Sequence, residues 1–250
     1  MSRRSLRTSL IALLFSAPIF LLTGCSNVSG LGFPEGVTSV NDQTIPLWEG
    51  FWITAAVVGI FTLVLILWPA MFHRGKKDGP EFPKQTQYNV PVEVAYTLIP
   101  IIITVFLFYY TVQKQNVITE KTNTYAHEIT VEGFQWSWQF GYPEAGPKAV
   151  VTGTPEQIPT LVVPLGERVR YTITSNDVVH GFWIPAFMIQ MQNLPGVTNS
   201  LEFTANKLGE FPGRCNILCG RNHTQMLFTV KVVTPAEYDA YLESIKEGQA

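Results

Sequence analysis

The chain has 250 residues, of which 46% are hydrophobic and only 14% charged, with a formal net charge of −2. Ordinary soluble domains carry about 25% charged residues, so part of this chain calls for an apolar environment. No clustered surplus of Lys and Arg is present to meet phosphates, which excludes nucleic-acid binding, and three cysteines are too few for a disulfide-stapled secreted fold.

Residues 1–24 read as a lipoprotein-type export signal. Arg3, Arg4 and Arg7 precede an apolar run from Leu10 to Leu22, about 13 residues and short for a ~30 Å hydrocarbon core. The run closes on Leu22-Thr23-Gly24-Cys25, which resembles the bacterial lipobox and implies lipidation of Cys25 as the mature N-terminus. A chance cysteine in an uncleaved anchor is the alternative. Residues 25–47 follow as an outer N-terminal segment.

A transmembrane hairpin is expected over 48–115. Phe51 to Met71, about 21 residues, and Val94 to Val112, about 19, are free of charge and long enough to span a bilayer as helices. Trp48, Trp52, Trp68, Tyr109 and Tyr110 fall near their ends, where amphipathic rings favour the headgroup layer. A buried soluble hairpin is the competing reading. Arg74, Lys76, Lys77 and Lys84 make the connection basic, so the positive-inside rule sets it in the cytoplasm and both termini outside, in agreement with the export signal. Pro100 predicts a kink in the second span. Glu93, at the cytoplasmic mouth of that helix, is either a snorkelling end-cap or part of a proton path.

From about Tyr125 the texture becomes β-rich, with short runs at 128–131, 136–140, 160–163, 168–174, 201–204 and 226–233 punctuated by Gly, Pro and Asn. Val169, Tyr171 and Ile173 alternate with Arg168, Arg170, Thr172 and Thr174, a period of two that suits a strand with one buried face. The expected class is a two-helix transmembrane hairpin followed by an all-β sandwich or barrel over 125–234. Residues 235–250 close the chain as a short helix and tail, with Pro235 in the first turn.

One loop concentrates chemistry. Cys215, Cys219, His223 and Met226 supply two thiols, an imidazole and a thioether within one short run, and His180 stands upstream on a strand end. Soft sulfur with imidazole selects copper, and a second Cys beyond the set of a single blue-copper site suggests a second ion. Structural zinc on Cys₂His₂ remains open, although its ligands commonly come as two close pairs. A Cys215–Cys219 disulfide also remains open.

The loop resembles the CuA-binding motif of the cytochrome c oxidase subunit II family. Asp177-Val178-Val179-His180 followed by Trp183-Ile184-Pro185 is similar to that family's upstream histidine element, Gly133-Phe134-Gln135-Trp136-Ser137-Trp138 to its aromatic segment, and Val92-Glu93 with Thr97-Leu98-Ile99-Pro100 to its second helix. The likeness covers nearly everything from about residue 45. It implies a cupredoxin-like Greek-key domain holding a binuclear copper centre (CuA) bridged by Cys215 and Cys219. His180 and Met226 would complete one copper, and His223 with the backbone carbonyl of Ile217 the other. It further implies electron input at Trp136, whose alternative is ordinary sandwich packing, and a proton-channel mouth at Glu93. The implied partners are a haem-bearing subunit I, a subunit III, membrane lipid, and a free or membrane-tethered cytochrome c. The implied setting is a bacterial cell membrane, crossed more than once, with the copper domain outside.

Two departures stand out. Ile217 occupies a position where the family usually has Glu, which removes a carboxylate for a neighbouring magnesium but leaves the carbonyl. Gln192-Asn193-Leu194-Pro195-Gly196-Val197 replaces a loop that typically carries Asp and Arg. A membrane-tethered copper carrier and a quinol-oxidase second subunit are the rival readings. The first has no use for Trp136 or Glu93, and the second typically lacks the copper ligands.

Overall fold

The computed structural model describes residues 30–73, 82, 85–122 and 124–246. The export signal, Cys25 and the basic residues Arg74, Lys76, Lys77 and Lys84 lie outside them. The chain divides into two compact units, one of residues 43–125 and one that joins the segment before it to everything from Ala126 onward.

Helices α1 (Asn41–Phe72) and α2 (Val90–Ile118) make the first unit. Both run past the charge-free spans at 51–71 and 94–112, and both are long and apolar enough to cross a membrane. At 1.5 Å per residue each exceeds ~40 Å, more than a ~30 Å hydrocarbon core requires. Ile53, Ile60, Phe61, Ile102 and Phe106 are more than 60% exposed, a surface that water would penalise. Hydroxyls are turned inward: Thr54 donates to the Gly50 carbonyl and Thr111 to that of Leu107, both at 2.8 Å. Lys114 Nζ donates to Gln43 Oε1 at 2.9 Å, which ties the end of α2 to the start of α1. Helix α2 runs unbroken through Pro100.

The second unit is a sandwich of two five-stranded sheets, the all-β cupredoxin-like class expected. One has the order β3-β2-β1-β5-β8, from β1 (His127–Phe134), β2 (Ser137–Gly141), β3 (Val150–Thr152), β5 (Arg168–Ser175) and β8 (Asn199–Thr204). The other runs β4-β10-β9-β6-β7, from β4 (Thr160–Pro164), β6 (His180–Ile184), β7 (Ile189–Asn193), β9 (Gly209–Cys215) and β10 (Leu227–Val233). Each sheet mixes antiparallel neighbours with one parallel pair, β1 with β5 and β4 with β10. The alternation read in 168–174 is real: Val169, Tyr171 and Ile173 are buried and the intervening residues are not. Rings fill the space between the sheets. Trp138 of the first meets Phe228 and Phe182 of the second edge-on at 5.2 and 5.8 Å between centroids, geometry that suits aromatic quadrupoles.

Residues 30–42 act as a strap along the outer edge of β8. Ser39 N–H donates to the Thr204 carbonyl at 3.0 Å, Thr204 N–H to Ser39 Oγ at 3.1 Å, and Asn206 N–H to the Val37 carbonyl at 2.8 Å. The exposed edge of the sheet is thereby covered. Helix α3 (Pro235–Ile245) closes the described chain; Thr234 and Glu237 form a reciprocal capping box at its start.

Candidate metal centre

The ligand candidates converge where β6, β9 and β10 end together. His180 is the first residue of β6 and Cys215 the last of β9, and pairing of Phe182 with Cys215 brings them side by side. Cys215 N–H donates to the Met226 carbonyl at 3.0 Å, closing the ladder between β9 and β10, so the intervening loop starts and finishes at one point. Within it a short 3₁₀ turn over His223–Gln225 folds back, with Met226 N–H donating to the His223 carbonyl at 3.3 Å.

This brings five of the predicted side chains together. Sγ of Cys215 and Cys219 are 3.8 Å apart, and Cys219 Sγ lies 3.6 Å from His223 Nδ1 and 3.7 Å from Met226 Sδ. Cys215 Sγ is 3.1 Å from the Ile217 carbonyl oxygen. Donor atoms of His180, Cys215 and Cys219 all fall within 4.8 Å of one another, so the group can hold a metal. Both thiols are free, and a disulfide needs sulfurs near 2.05 Å.

His180 supplies the sharpest test of fit. Its side chain is wholly buried, Nε2 is held by Asp177 Oδ1 at 2.8 Å, and Nδ1 is buried with no hydrogen-bond partner. A buried polar nitrogen without a partner is costly, and one ring nitrogen fixed by a carboxylate while the other is left bare is how metal-binding histidines are oriented. Two sulfurs, two imidazoles, a thioether and a carbonyl exceed what one tetrahedral zinc uses.

Glycines make room for this packing. A Cβ on Gly133 would sit 3.0 Å from the His180 ring, and one on Gly181 would sit 2.0 Å from Asn216 Oδ1. Asn216 N–H donates to the Gly181 carbonyl at 3.2 Å, and Gly181 N–H points to Cys215 Sγ at 3.5 Å. Burial works against ionising Cys215, but the adjacent His180 imidazole and the Gly181 N–H outweigh it and bring the thiol down to about 6. Cys219, buried and facing that charge, is pushed up to about 12. The two thiols are thus pushed in opposite directions, and a bound cation would supply the drive to ionise both.

Trp136 lies against the cluster, its indole N–H donating to the Cys219 carbonyl at 3.3 Å. The other two predicted functional residues are elsewhere. Glu93 is in the first turn of α2, where its Oε1 accepts the Asn89 N–H at 3.0 Å while Asn89 Oδ1 accepts that of Val92 at 3.4 Å, a reciprocal helix cap. Cys25 is outside the described residues. Asp177 and Gln135 contact the cluster without having been singled out as working residues. The spacing of Asp177 three residues before His180 was the available signal.

A family model described as cytochrome c oxidase subunit II, periplasmic domain, matches residues 127–233. A probable cytochrome c oxidase subunit 2 of Streptomyces avermitilis is 36% identical over 99% of this chain and 90% of its own length. The chain belongs to the cytochrome c oxidase subunit II family. The corresponding subunit of Mycobacterium tuberculosis strain H37Rv is 32% identical over 98% of this chain and 84% of its own. The crystal structure of the periplasmic domain of subunit II (CoxB) of Bradyrhizobium japonicum is 29% identical, covering 52% of this chain and all of that one with a TM-score of 0.46. As a subunit II, this chain is a membrane-anchored component of cytochrome c oxidase, and its His180–Cys215–Cys219 group sits inside the span the family model matches.

Proposed function

We propose that this subunit II receives electrons from cytochrome c at a binuclear copper centre and passes them to haem in a partner subunit I, where oxygen is reduced and protons are pumped. One observation carries the reading: two free thiols 3.8 Å apart, ringed by His223 and Met226, with the bare Nδ1 of His180 in the same cluster. His180, Cys215, the Ile217 carbonyl, Cys219, His223 and Met226 would hold the metal pair, and copper there would supply one-electron exchange shared between two ions.

The chain's own residues set the conditions. Asp177 fixes the His180 tautomer, the aromatic wall of Trp138, Phe182 and Phe228 limits water, and strand ends hold both cysteines in place, so little moves when charge changes. Trp136 is the electron port, because its indole reaches the Cys219 carbonyl. Asp177 and Glu132 favour a cationic donor protein; the Glu132 carboxyl is raised by burial and by the Asp177 charge beside it. Ile217 contributes no carboxylate, so any magnesium at the subunit interface would lack that ligand.

In this reading both helices cross a bacterial membrane, with the basic connection inside and the β-unit outside. Residues 1–24 are removed, Cys25 carries lipid, and a subunit III accompanies subunit I. Glu93 lines the mouth of a proton path, and its carboxylate caps α2 at the same time.

Metal analysis and electron paramagnetic resonance on the full chain in detergent test the proposal. Two coppers per chain sharing one unpaired electron are expected, with near-infrared absorption. A single blue-copper spectrum, or zinc alone, would refute it.

A further inference from the structure

Trp136 does not reach the metal loop alone. It shares a two-residue connection between β1 and β2 with Gln135, and that residue makes two bonds of its own. Its backbone N–H donates to Asp177 Oδ2 at 2.7 Å, while the other oxygen of the same carboxylate holds His180 Nε2 at 2.8 Å. Its side-chain amide donates to the Cys219 carbonyl at 2.8 Å, the same oxygen that takes the Trp136 indole N–H at 3.3 Å. A carbonyl has two lone pairs, and this one is fully used by the hairpin tip.

The next residue is shaped to receive that tip. Gly220 has φ +124°, and a Cβ there would lie 3.1 Å from both Gln135 Nε2 and Trp136 Nε1. The hairpin thus seats directly on the peptide that follows Cys219. The longer of the two bonds belongs to the indole, and the shorter, better formed one belongs to Gln135.

We propose that Gln135 is a positioning residue that latches Trp136 onto the Cys219 carbonyl and, through its own backbone amide, steadies Asp177 on His180. The electron port and both halves of the ligand set are then held as one body. Gln135 itself touches neither metal nor donor haem; it acts through Trp136, Asp177 and Cys219. The latch as a contributor to electron input rests on the copper-centre reading above, whereas the latch as geometry does not.

Two measurements separate these. The chain has six tryptophans, so ¹⁵N-tryptophan labelling of the full metal-free chain in detergent resolves the indole protons, with Trp136→Phe identifying the one of interest. Gln135→Ala should speed hydrogen exchange of the Trp136 indole about tenfold, the factor that one net hydrogen bond supplies, and leave the other indoles unchanged. Gln135→Leu, which keeps bulk but cannot donate, should behave alike. In the assembled oxidase both variants should retain the wild-type copper content and spectrum and the wild-type KM for reduced cytochrome c, while kcat for electron input falls about tenfold. Unchanged indole exchange in both variants, or unchanged kcat in an oxidase whose wild type holds the copper pair, would overturn the inference. Failure of the copper-centre reading has a different signature: the wild-type chain itself would hold no copper pair, while the indole experiment would still report on the latch.

Discussion

At the far end of β1 from the candidate metal centre, His127 is clamped between two acids. Nδ1 lies 2.7 Å from Glu144 Oε2, in the turn after β2, and Nε2 lies 2.8 Å from Glu167 Oε2, in the turn before β5. A neutral imidazole has one N–H and one lone pair, and a carboxylate facing each nitrogen requires both to carry protons. Burial disfavours that charge, but the bonds and charges of Glu144 and Glu167 outweigh it and raise the His127 pKa above 6.5. The Tyr238 ring packs edge-on at 4.8 Å, and burial keeps its phenol neutral, so the two glutamates are the charges that govern the site.

The sign follows from linkage: a pKa raised by folding contributes stability that is complete below 6.5 and is lost as pH rises through the folded value. Charge-assisted hydrogen bonds contribute about 1.5–3 kcal/mol each when well shielded. Here the glutamate side chains are 37% and 36% exposed, so screening reduces the whole clamp to about 1–2 kcal/mol. His127→Gln leaves no positive charge between the two acids at any pH. Denaturant unfolding of the β-unit, followed in the full chain by tryptophan fluorescence, should show the variant about 1–2 kcal/mol less stable near pH ~6 and nearly equal to wild type near pH ~9. The other titratable groups are common to both proteins, so only the difference between them reports on His127. A difference that stays constant with pH would show that His127 acts by packing, and the charge reasoning would fail.

Two further substitutions probe the scaffold. Glu202, whose side chain is fully buried, accepts from Arg168 at 2.9 Å and Arg170 at 2.7 Å; Glu202→Gln should cost about 2–3 kcal/mol in the same unfolding assay, because two part-buried guanidinium groups lose their counter-charge. Gly181→Ala places a methyl 2.0 Å from Asn216 Oδ1 and 2.9 Å from Ile217 Cγ1, so copper affinity measured by chelator competition should fall about 10–100-fold while far-ultraviolet circular dichroism stays that of wild type.

Some of this was legible in the chain and some was not, for physical reasons. The two spans announce themselves by the absence of charge, and β5 by its alternation, because one of its faces is buried and the other is not. Strand β6 is buried at His180, Gly181, Phe182 and Ile184, so no alternation marks it. Strand β9 contains Gly209, Pro212 and Gly213 and reads as a loop. It tolerates Pro212 because β6 pairs only with Arg214 and Cys215, which leaves the preceding stretch an open edge. The cysteines, His223 and Met226 are close in sequence and could be grouped by spacing, and Asp177 stands three residues from His180. Gln135 could not be placed in this way: its partners Asp177 and Cys219 are 42 and 84 residues distant.

That division explains why the ligand loop can be short. Four of the six candidate ligands come from one loop between β9 and β10, which alone would be a flexible tether. The loop becomes a rigid cradle because residues far away in sequence press on it: Gly181 lets Asn216 pack down, Trp138 supports the Met226 carbonyl through its indole at 3.5 Å, Asp177 turns His180, and Gln135 seats on Cys219. These contacts exist among protein atoms alone. They brace the donors from several sides, and under the proposed function a centre that exchanges electrons gains from such bracing because its donors have little distance to move.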